Sequence, residues 1–460
     1  MSRVARACSR FSLVAVLALT AAGPIGEARL RAQGIPAGQH WVGTWGTALM
    51  ARVPAGERPA PGHLAQPSDV PTNAAVTQPL QSSALQFSNQ TLRQVVHVSL
   101  GGEQVRVVFS NRYGTTPLAI GAAHVALRDK DSSIVAGSGR PLTFAGSPTA
   151  SISGGAMLVS DPVKLTVPAL ADLVVDLYLS GDTAASKSPA TIHPAAWQTN
   201  YLSETGNHAG AVTFPVQATT AFNRGGMPSS TWFFLARVEV LAPTGAGAVV
   251  AFGDSITDGT ASGLDTNNRW PDHLARRLAR EKIPMAVINA GIGGNRVLDE
   301  GAGPSALARI DRDVLAQPGI THVIFLEGIN DIGGAREKPT PSAADIIAGH
   351  RQVIELAHAR GLKVIGATLT PFEGANYYTA EGEAKRQALN EWIRTSRMYD
   401  GVIDFDAAIR DPSRPARTLP RYDPGDHLHA TGDGYRAMAE AIDLGLFRAK
   451  AAGKRATATR

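Results

Sequence analysis

The chain has 460 residues, of which 44% are hydrophobic and 18% are charged, so it holds enough apolar mass for buried cores and is neither disordered nor collagen-like. Its formal charge of +5 is modest for this length, and its scattered Lys and Arg residues do not form the dense basic face of a nucleic-acid-binding protein. The single cysteine excludes a disulfide framework and a cysteine-based zinc site.

The first 32 residues have the pattern of a secretory signal peptide. Arg3, Arg6 and Arg10 precede a short apolar run, Leu13–Leu19, and small residues follow it. The run is far shorter than the ~20 apolar residues that a membrane-spanning helix needs. We therefore predict a leader within residues 1–32, cleaved after Ala22 or as late as Ala32. We also predict a secreted or periplasmic protein and no stable insertion into a membrane.

Residues 40–242 are predicted to form an all-β sandwich-like domain. Short valine-rich segments, among them residues 103–111 and 172–181, are separated by clusters of Gly, Pro, Asn and Asp. A proline-rich stretch between residues 52 and 90 shows no periodicity. We interpret that stretch as a flexible insert or a covering loop.

Residues 247–447 are predicted to form an α/β domain with a five-stranded, doubly wound parallel sheet of the flavodoxin-like type. Compact apolar runs begin at intervals of about 40 residues and alternate with helical patterns, as strands of a parallel sheet do; the runs are residues 248–252, 286–290, 322–327, 363–369 and 401–405. Residues 448–460 read as a solvated basic tail.

Polar residues follow these apolar runs, where the carboxyl ends of parallel strands meet on one rim of a sheet. Ser255 follows the first run, Gly294 the second and Asn330 the third, whereas Asp426 and His429 lie in a longer loop after the fifth. A serine becomes a nucleophile when a histidine removes its proton, and a carboxylate holds that histidine in the required tautomer. Glycine N–H groups and an asparagine amide are suitable donors to a negatively charged oxygen.

The segments VVAFGDSITDG, INAGIGGN, LEGIND and DHLH stand in the order and spacing of the four sequence blocks of the SGNH (GDSL-type) hydrolase family, which the chain resembles from residue 247 to about 447. The resemblance implies that Ser255 is the nucleophile and that Asp426 and His429 complete a catalytic triad. It also implies an oxyanion hole formed by Ser255, Gly294 and Asn330. VGTWGTA, VRVVFSNRYG and HPAAWQTNY resemble an amino-terminal β-domain of two-domain bacterial members.

Two features of the sequence allow a second interpretation. Asp423 and His427 offer a rival acid–histidine pair beside Asp426 and His429, and the register of the family blocks selects His429. Trp41, Trp45 and Trp232 are candidates for a sugar-stacking platform, although core packing is the more common role of aromatic residues in a β-domain.

We expect no cofactor and no metal. Gly291–Gly294 is similar to a dinucleotide-binding loop, but Arg296 stands where that motif needs its third glycine. No H-x-x-x-H pair indicates a zinc site.

The resemblance implies a secreted serine esterase, a carboxylic ester hydrolase that acts on short-chain acyl esters, acetyl esters of carbohydrates in particular. Its expected partner is a small-molecule or polysaccharide ester substrate, without nucleic acid. Alternatives are a lipase or an acyltransferase with the same triad, or a carbohydrate-binding protein with a vestigial site.

Overall fold

A computed structural model describes residues 35–52, 86–183, 185–220, 222–224, 227–333 and 339–448. The predicted signal peptide, most of the proline-rich stretch and all but the first residue of the basic tail lie outside these ranges. The described residues from Gly38 onward form one compact unit. Among the described residues, no helix combines the length and the apolar character that crossing a membrane requires.

The amino-terminal part is built of strands: β1 (Gln39–Gly46), β2 (Met50–Arg52), β3 (Ser88–His97), β4 (Gly102–Ser110), β5 (Leu118–Ile120), β6 (Ala122–Leu127), β7 (Arg140–Leu142), β8 (Ala150–Ile152), β9 (Met157–Val159), β10 (Val163–Val167), β11 (Asp172–Asp182), β12 (Ala190–His193), β13 (Tyr201–Thr205), β14 (Val216–Thr219), β15 (Phe222–Arg224), β16 (Met227–Ser229), β17 (Trp232–Phe233) and β18 (Leu235–Pro243).

Antiparallel sheets dominate this part, as predicted. The larger sheet has the order β14-β13-β3-β11-β6-β7, and a second has the order β1-β18-β4-β10, with β9 also paired to β4. Their buried faces supply one apolar cluster that includes Val96, Val107, Val175 and Val238. Trp45 and Trp232 belong to the same cluster, with ring centroids 4.9 Å apart, so these two indoles are core residues.

The carboxyl-terminal part contains the predicted parallel sheet. Its strands are β19 (Gly247–Gly253), β20 (Met285–Gly291), β21 (Ile320–Leu326), β22 (Lys363–Ala367) and β23 (Gly401–Ile403), in the order β20-β19-β21-β22-β23. β19 is buried throughout and β21 from His322 to Leu326, because helices cover both faces of the sheet. The chain reverses its direction of travel across the sheet after β20, and loops at such a switch point form a crevice for ligands.

The helices of this part are α1 (Ser255–Asp258), α2 (Trp270–Arg280), α3 (Ala306–Ile310), α4 (Ile329–Ile332), α5 (Ala343–His358), α6 (Ala380–Thr395), α7 (Phe405–Ile409) and α8 (Gly432–Glu440). A π-helical turn (Asp311–Leu315), two 3₁₀ turns (Pro420–Tyr422 and Leu444–Phe447) and a hairpin of β24 (Arg410–Asp411) and β25 (Arg414–Thr418) complete the part. Helices α2, α5 and α6 coincide with the predicted helical patterns. The amino termini of α5 and α6 are capped by side chains; Ser342, for example, accepts a hydrogen bond from the Asp345 N–H of α5.

The two parts share a core. Val42 and Met50 of the β-part pack in the same apolar cluster as the parallel sheet. At the outer edge of that sheet, the Ser99 hydroxyl accepts a hydrogen bond from the Val287 N–H (2.9 Å), and its one hydrogen faces the carbonyl oxygens of Thr44 (2.7 Å) and Val287 (3.1 Å). One serine of the β-part therefore contacts both backbone groups of Val287 on β20, an edge strand whose outward N–H needs an acceptor.

Candidate active site

Ser255 lies at the carboxyl end of the central strand β19, at the first position of α1. The carboxylate of Asp254 accepts a hydrogen bond from the Ile256 N–H at 2.9 Å and so caps this helix. The turn into the helix is tight, because a side chain at Gly253 would approach the Leu326 carbonyl oxygen to 2.3 Å. The strand end, the glycine and the cap together hold Ser255 in a buried position on the rim of the sheet, with 7% of its surface exposed.

His429 and Asp426 meet Ser255 from the loop before α8. The His429 Nε2 lies 2.8 Å from the Ser255 Oγ, and its Nδ1 lies 2.5 Å from the Asp426 Oδ2. The other Asp426 oxygen accepts hydrogen bonds from the Leu428 and His429 N–H groups, at 3.1 and 3.0 Å. The structure therefore brings together the three residues that the sequence predicts as nucleophile, base and orienting acid.

The charge state of Asp426 suits an orienting acid. Burial on its own raises the pKa of this carboxyl, but the hydrogen bond and charge of His429 and the two N–H donors outweigh it and lower the pKa to about 2. Asp426 is then ionised at neutral pH and accepts a proton-bearing Nδ1 from His429. In that tautomer the Nε2 lone pair faces the Ser255 hydroxyl, as a general base requires.

The rival pair also forms, but it does not reach the serine. The His427 Nδ1 lies 2.5 Å from the Asp423 Oδ2, while the other Asp423 oxygen accepts from the His427 N–H at 3.1 Å. The histidine hydrogen-bonded to Ser255 is His429. The two adjacent acid–histidine pairs thus have the same internal geometry and differ in what the second ring nitrogen contacts.

Gly294 lies in the loop after β20, and Asn330 lies in the short helix α4, which contacts that loop. Gly294 has φ of +78°, a conformation that glycine adopts without steric cost, in the tight turn closed by the Asn295 N–H and the Ile292 carbonyl. The Asn330 side chain donates to the Asn295 carbonyl oxygen at 2.9 Å. Since an amide nitrogen carries two hydrogens, this contact orients Asn330 and leaves its second N–H as a donor.

Arg309, on α3, donates hydrogen bonds to the carboxyl ends of β19 and β20. Its buried guanidinium donates to the Gly253 carbonyl (2.9 Å), the Ala290 carbonyl (2.7 Å) and the Asn295 side-chain oxygen (2.8 Å). It also packs over the Phe252 ring, 4.2 Å from its centroid. Sequence analysis did not identify Arg309, because a lone arginine in a helical pattern reads as a solvated residue.

Two buried carboxyl groups near Ser255, those of Asp254 and Glu327, have raised pKa values. Burial raises the pKa of Asp254 to about 7, assisted by the neighbouring Asp331 and Asp258 charges and opposed by the Ile256 N–H and by Arg309. Burial and the Asp254 charge raise the pKa of Glu327 well above its ordinary value. Within the described residues, no cluster of three or more His, Cys, Asp or Glu side chains has the arrangement of a metal site.

A cavity of about 20 Å³ lies between the β-part and the parallel sheet, where Trp45, His193, Trp232 and Asp258 contribute to its wall. This volume accommodates about one water molecule and is too small for an ester substrate. The remaining tryptophan of the trio, Trp41, is partly buried, with the Arg106 guanidinium 4.3 Å from its ring centroid.

Comparison with known proteins identifies a relationship over the carboxyl-terminal part. The model of the GDSL-like lipase/acylhydrolase family matches residues 251–437. None of the curated proteins compared with this chain matches it.

Solved structures are similar to less than half of this chain. A GDSL-like lipase from Bacteroides thetaiotaomicron is 21% identical, with 43% of this chain and 87% of that chain covered and a TM-score of 0.34. A carbohydrate acetylesterase from Sinorhizobium meliloti is 17% identical (42% and 95% covered, TM-score 0.35). An aryl esterase from M. smegmatis is 19% identical (43% and 96% covered, TM-score 0.35).

The matched segment begins within β19 and ends within α8, so it contains Ser255, Gly294, Asn330, Asp426 and His429. Residues 251–437 of this chain therefore match the GDSL-like lipase/acylhydrolase family, and the protein is a carboxylic ester hydrolase.

Proposed function

We propose that the protein is a serine esterase in which Ser255, His429 and Asp426 are the catalytic triad. The observation that supports this most directly is the continuous chain of hydrogen bonds from the Ser255 Oγ through both ring nitrogens of His429 to Asp426. His429 accepts the hydroxyl proton as the Ser255 oxygen forms a bond to the ester carbonyl carbon. The protonated His429 then donates that proton to the alcohol as its bond to the carbonyl carbon breaks.

The acyl group is left on Ser255 as an ester, and water removes it. His429 accepts a proton from the attacking water, whose oxygen bonds to the acyl carbon, and then returns a proton to the Ser255 oxygen as the acid departs. Each half-reaction passes through a tetrahedral intermediate with a negatively charged oxygen. We assign its stabilisation to the N–H groups of Ser255 and Gly294 and to the Asn330 amide, since Asn330 is already oriented by its contact with the Asn295 carbonyl.

We propose short-chain acyl esters, acetyl esters of carbohydrates in particular, as the substrates. Two features support this choice. Ser255 and Asn330 each have only 7% of their surface exposed, which favours a small acyl group. The amino-terminal segments resemble those of two-domain bacterial esterases linked to plant polysaccharides.

The experiment compares the wild-type protein with Ser255→Ala on p-nitrophenyl acetate, with Ser413→Ala as the matched control in an exposed loop. We expect Ser255→Ala to lose hydrolysis at an unchanged melting temperature and Ser413→Ala to retain it. Retained activity in folded Ser255→Ala would refute the assignment of Ser255 as the nucleophile.

Acetate release from acetylated xylan and hydrolysis of p-nitrophenyl esters of increasing chain length then test the substrate class. A preference for long chains would indicate a lipase, and acetyl transfer to added glycerol would indicate an acyltransferase. Binding to insoluble xylan without acetate release would indicate a vestigial site.

We also propose that the protein is exported, on the signal-peptide pattern of residues 1–32. Expression of the full chain in a bacterium, followed by fractionation and amino-terminal sequencing, tests this proposal. An uncleaved protein confined to the cytoplasm would contradict it.

A further inference from the structure

His193, at the end of β12 in the β-part, contacts the first catalytic segment of the other part. Its Nε2 lies 3.0 Å from the Asp258 Oδ1, and its Nδ1 lies 2.7 Å from the Ala48 carbonyl oxygen. His193 and Asp258 are both buried, with 2% and 3% of their surfaces exposed. The motif analysis assigned no role to either residue.

These two contacts determine how many protons the pair holds. A carbonyl oxygen only accepts hydrogen bonds, so the His193 Nδ1 must carry a hydrogen. The contact between Nε2 and the Asp258 carboxyl then needs a second hydrogen, and the pair as a whole is neutral. The Trp232 ring packs against His193, with ring centroids 5.7 Å apart.

Asp258 joins three pieces of the site. It is the last residue of α1, the helix that Ser255 begins. Its Oδ2 accepts a hydrogen bond from the Gly293 N–H at 3.2 Å, immediately before Gly294. The loop also packs directly on the helix, since a side chain at Gly291 would lie 2.2 Å from the Asp258 nitrogen. The Asp258 carboxylate therefore fixes the glycine loop relative to the nucleophile.

We propose that His193 is a positioning residue for acyl transfer, because it holds the Asp258 carboxylate in the orientation that places the Gly294 N–H against the oxyanion. The inference rests on the proposed function and extends it, because His193 belongs to the β-part. A residue of the β-part would then contribute to catalysis. His193 reaches the reacting atoms only through Asp258 and the loop.

Loss of His193 leaves the buried Asp258 Oδ1 without its side-chain partner, and the carboxyl group must then turn towards another donor. That rotation alters its contact with the Gly293 N–H and shifts the donor at Gly294. A displacement of about 1 Å in a catalytic group costs up to roughly 100-fold in rate. We expect a kcat about 10- to 100-fold lower, with little change in KM, because the donor acts on the transition state more than on the bound ester.

The experiment compares three substitutions of His193 in the full chain, with p-nitrophenyl acetate as substrate. His193→Leu removes both hydrogen bonds. His193→Gln presents an amide N–H near the position of Nε2 and retains the contact with Asp258, whereas His193→Asn retains only the contact with Ala48. We expect kcat to decrease in the order wild type, Gln, Asn, Leu.

The matched control is His358→Leu, which breaks an exposed histidine–aspartate contact of 2.8 Å between His358 and Asp400. We expect its kcat and KM to equal those of the wild type. Melting temperatures separate lost catalysis from lost folding.

Folded His193→Leu with wild-type kcat would overturn the proposal. If that variant does not fold, the Gln and Asn variants decide: a higher kcat for Gln supports the proposal, and an equal or lower kcat for Gln overturns it. A wild-type protein without Ser255-dependent hydrolysis would refute the proposed function, whereas an active enzyme insensitive to His193 would refute only this inference.

Discussion

At the scale of single residues, the site is defined by what each histidine contacts. Asp426 and Asp423 each hold the Nδ1 of a neighbouring histidine at 2.5 Å, and both accept backbone N–H groups of the same loop. The contact from the His429 Nε2 to the Ser255 Oγ is what gives one of these pairs a nucleophile to activate. Catalytic roles therefore follow from the position of Nε2, which local sequence does not encode.

Asp426→Asn tests this distinction, with Asp423→Asn as the matched control. An asparagine that donates its amide to Nδ1 stabilises the tautomer with a proton on Nε2, which cannot accept the serine proton. We expect Asp426→Asn to lower kcat by roughly 10³- to 10⁴-fold, as loss of the orienting carboxylate does in serine hydrolases. Steady-state hydrolysis of p-nitrophenyl acetate measures this decrease in kcat.

We expect the Asp423→Asn enzyme to keep near wild-type kcat. If the two variants exchanged these phenotypes, His427 and Asp423 would be the functional pair.

The residues that sequence analysis identified and those it missed differ in a physical way. Ser255, Asn330 and His429 follow strand ends or stand in short motifs, so their location could be predicted. The choice between His427 and His429 depended on family register, because a loop with two Asp–His pairs has no periodicity that fixes its geometry. Arg309 and His193 act through contacts between distant segments, which local patterns do not show.

At the scale of elements, the parallel sheet was predictable because its strands are buried on both faces and so appear as continuous apolar runs. Helices α2, α5 and α6 were predictable from their own periodicity. The short helices α1, α3 and α4 were not predicted, because four or five residues carry too little pattern. These short helices nevertheless hold residues of the site: α1 begins with Ser255, α3 contains Arg309 and α4 contains Asn330.

The connection between β19 and α1 places Asp254 where its carboxyl is deeply buried, and this makes stability depend on pH. The pKa of Asp254 in the folded protein is about 7, above its ordinary value of 3.8. A raised pKa means that the folded state binds the proton more tightly. The contribution of Asp254 to the free energy of unfolding is therefore complete below its ordinary pKa and is lost as the pH rises through about 7.

Asp254→Asn is expected to remove this part of the pH dependence. Asparagine accepts the Ile256 N–H as the carboxylate does but does not ionise. Urea unfolding at several pH values between about 4 and 7 measures the change. We expect the free energy of unfolding of the variant to fall less steeply than that of the wild type.

Asp345→Asn provides the control, because Asp345 caps α5 at the surface and its hydrogen bonds to Ser342 lower its pKa instead. The lowered pKa of Asp345 changes the free energy of unfolding at more acidic pH than the raised pKa of Asp254 does. Parallel curves for the wild type and Asp254→Asn would show that Asp254 ionises normally in the folded protein.

At the scale of the whole molecule, the β-part and the parallel sheet are joined by a common core and by backbone contacts. The Gly43 N–H of β1 donates to the Pro318 carbonyl at 3.0 Å, and Ser99 contacts both backbone groups of Val287. The predicted domain limits, 40–242 and 247–447, stay a prediction about independent folding. The shared core leads us to expect that neither segment is fully stable alone.

Ser99→Ala tests how closely the two parts are coupled. The substitution leaves the Val287 N–H without its acceptor in a buried setting and removes the hydroxyl hydrogen that faces the Thr44 and Val287 carbonyls, at a cost of about 1–3 kcal/mol. We expect a lower free energy of unfolding and a single transition in which tryptophan fluorescence and esterase activity are lost together.

Ser147→Ala, in an exposed turn, is the control, and its unfolding transition should have the same midpoint as that of the wild type. Separate fluorescence and activity transitions in the wild type would contradict the coupling.

The central claim is that Ser255 is the nucleophile activated by His429, and covalent labelling tests it most directly. The protein is treated with a fluorophosphonate, and the labelled peptide is identified by mass spectrometry while residual activity is followed. We predict one label per chain on Ser255, activity lost in proportion to labelling, and little labelling of His429→Ala. Labelling of another residue with loss of activity, or full activity after complete labelling of Ser255, would contradict the account.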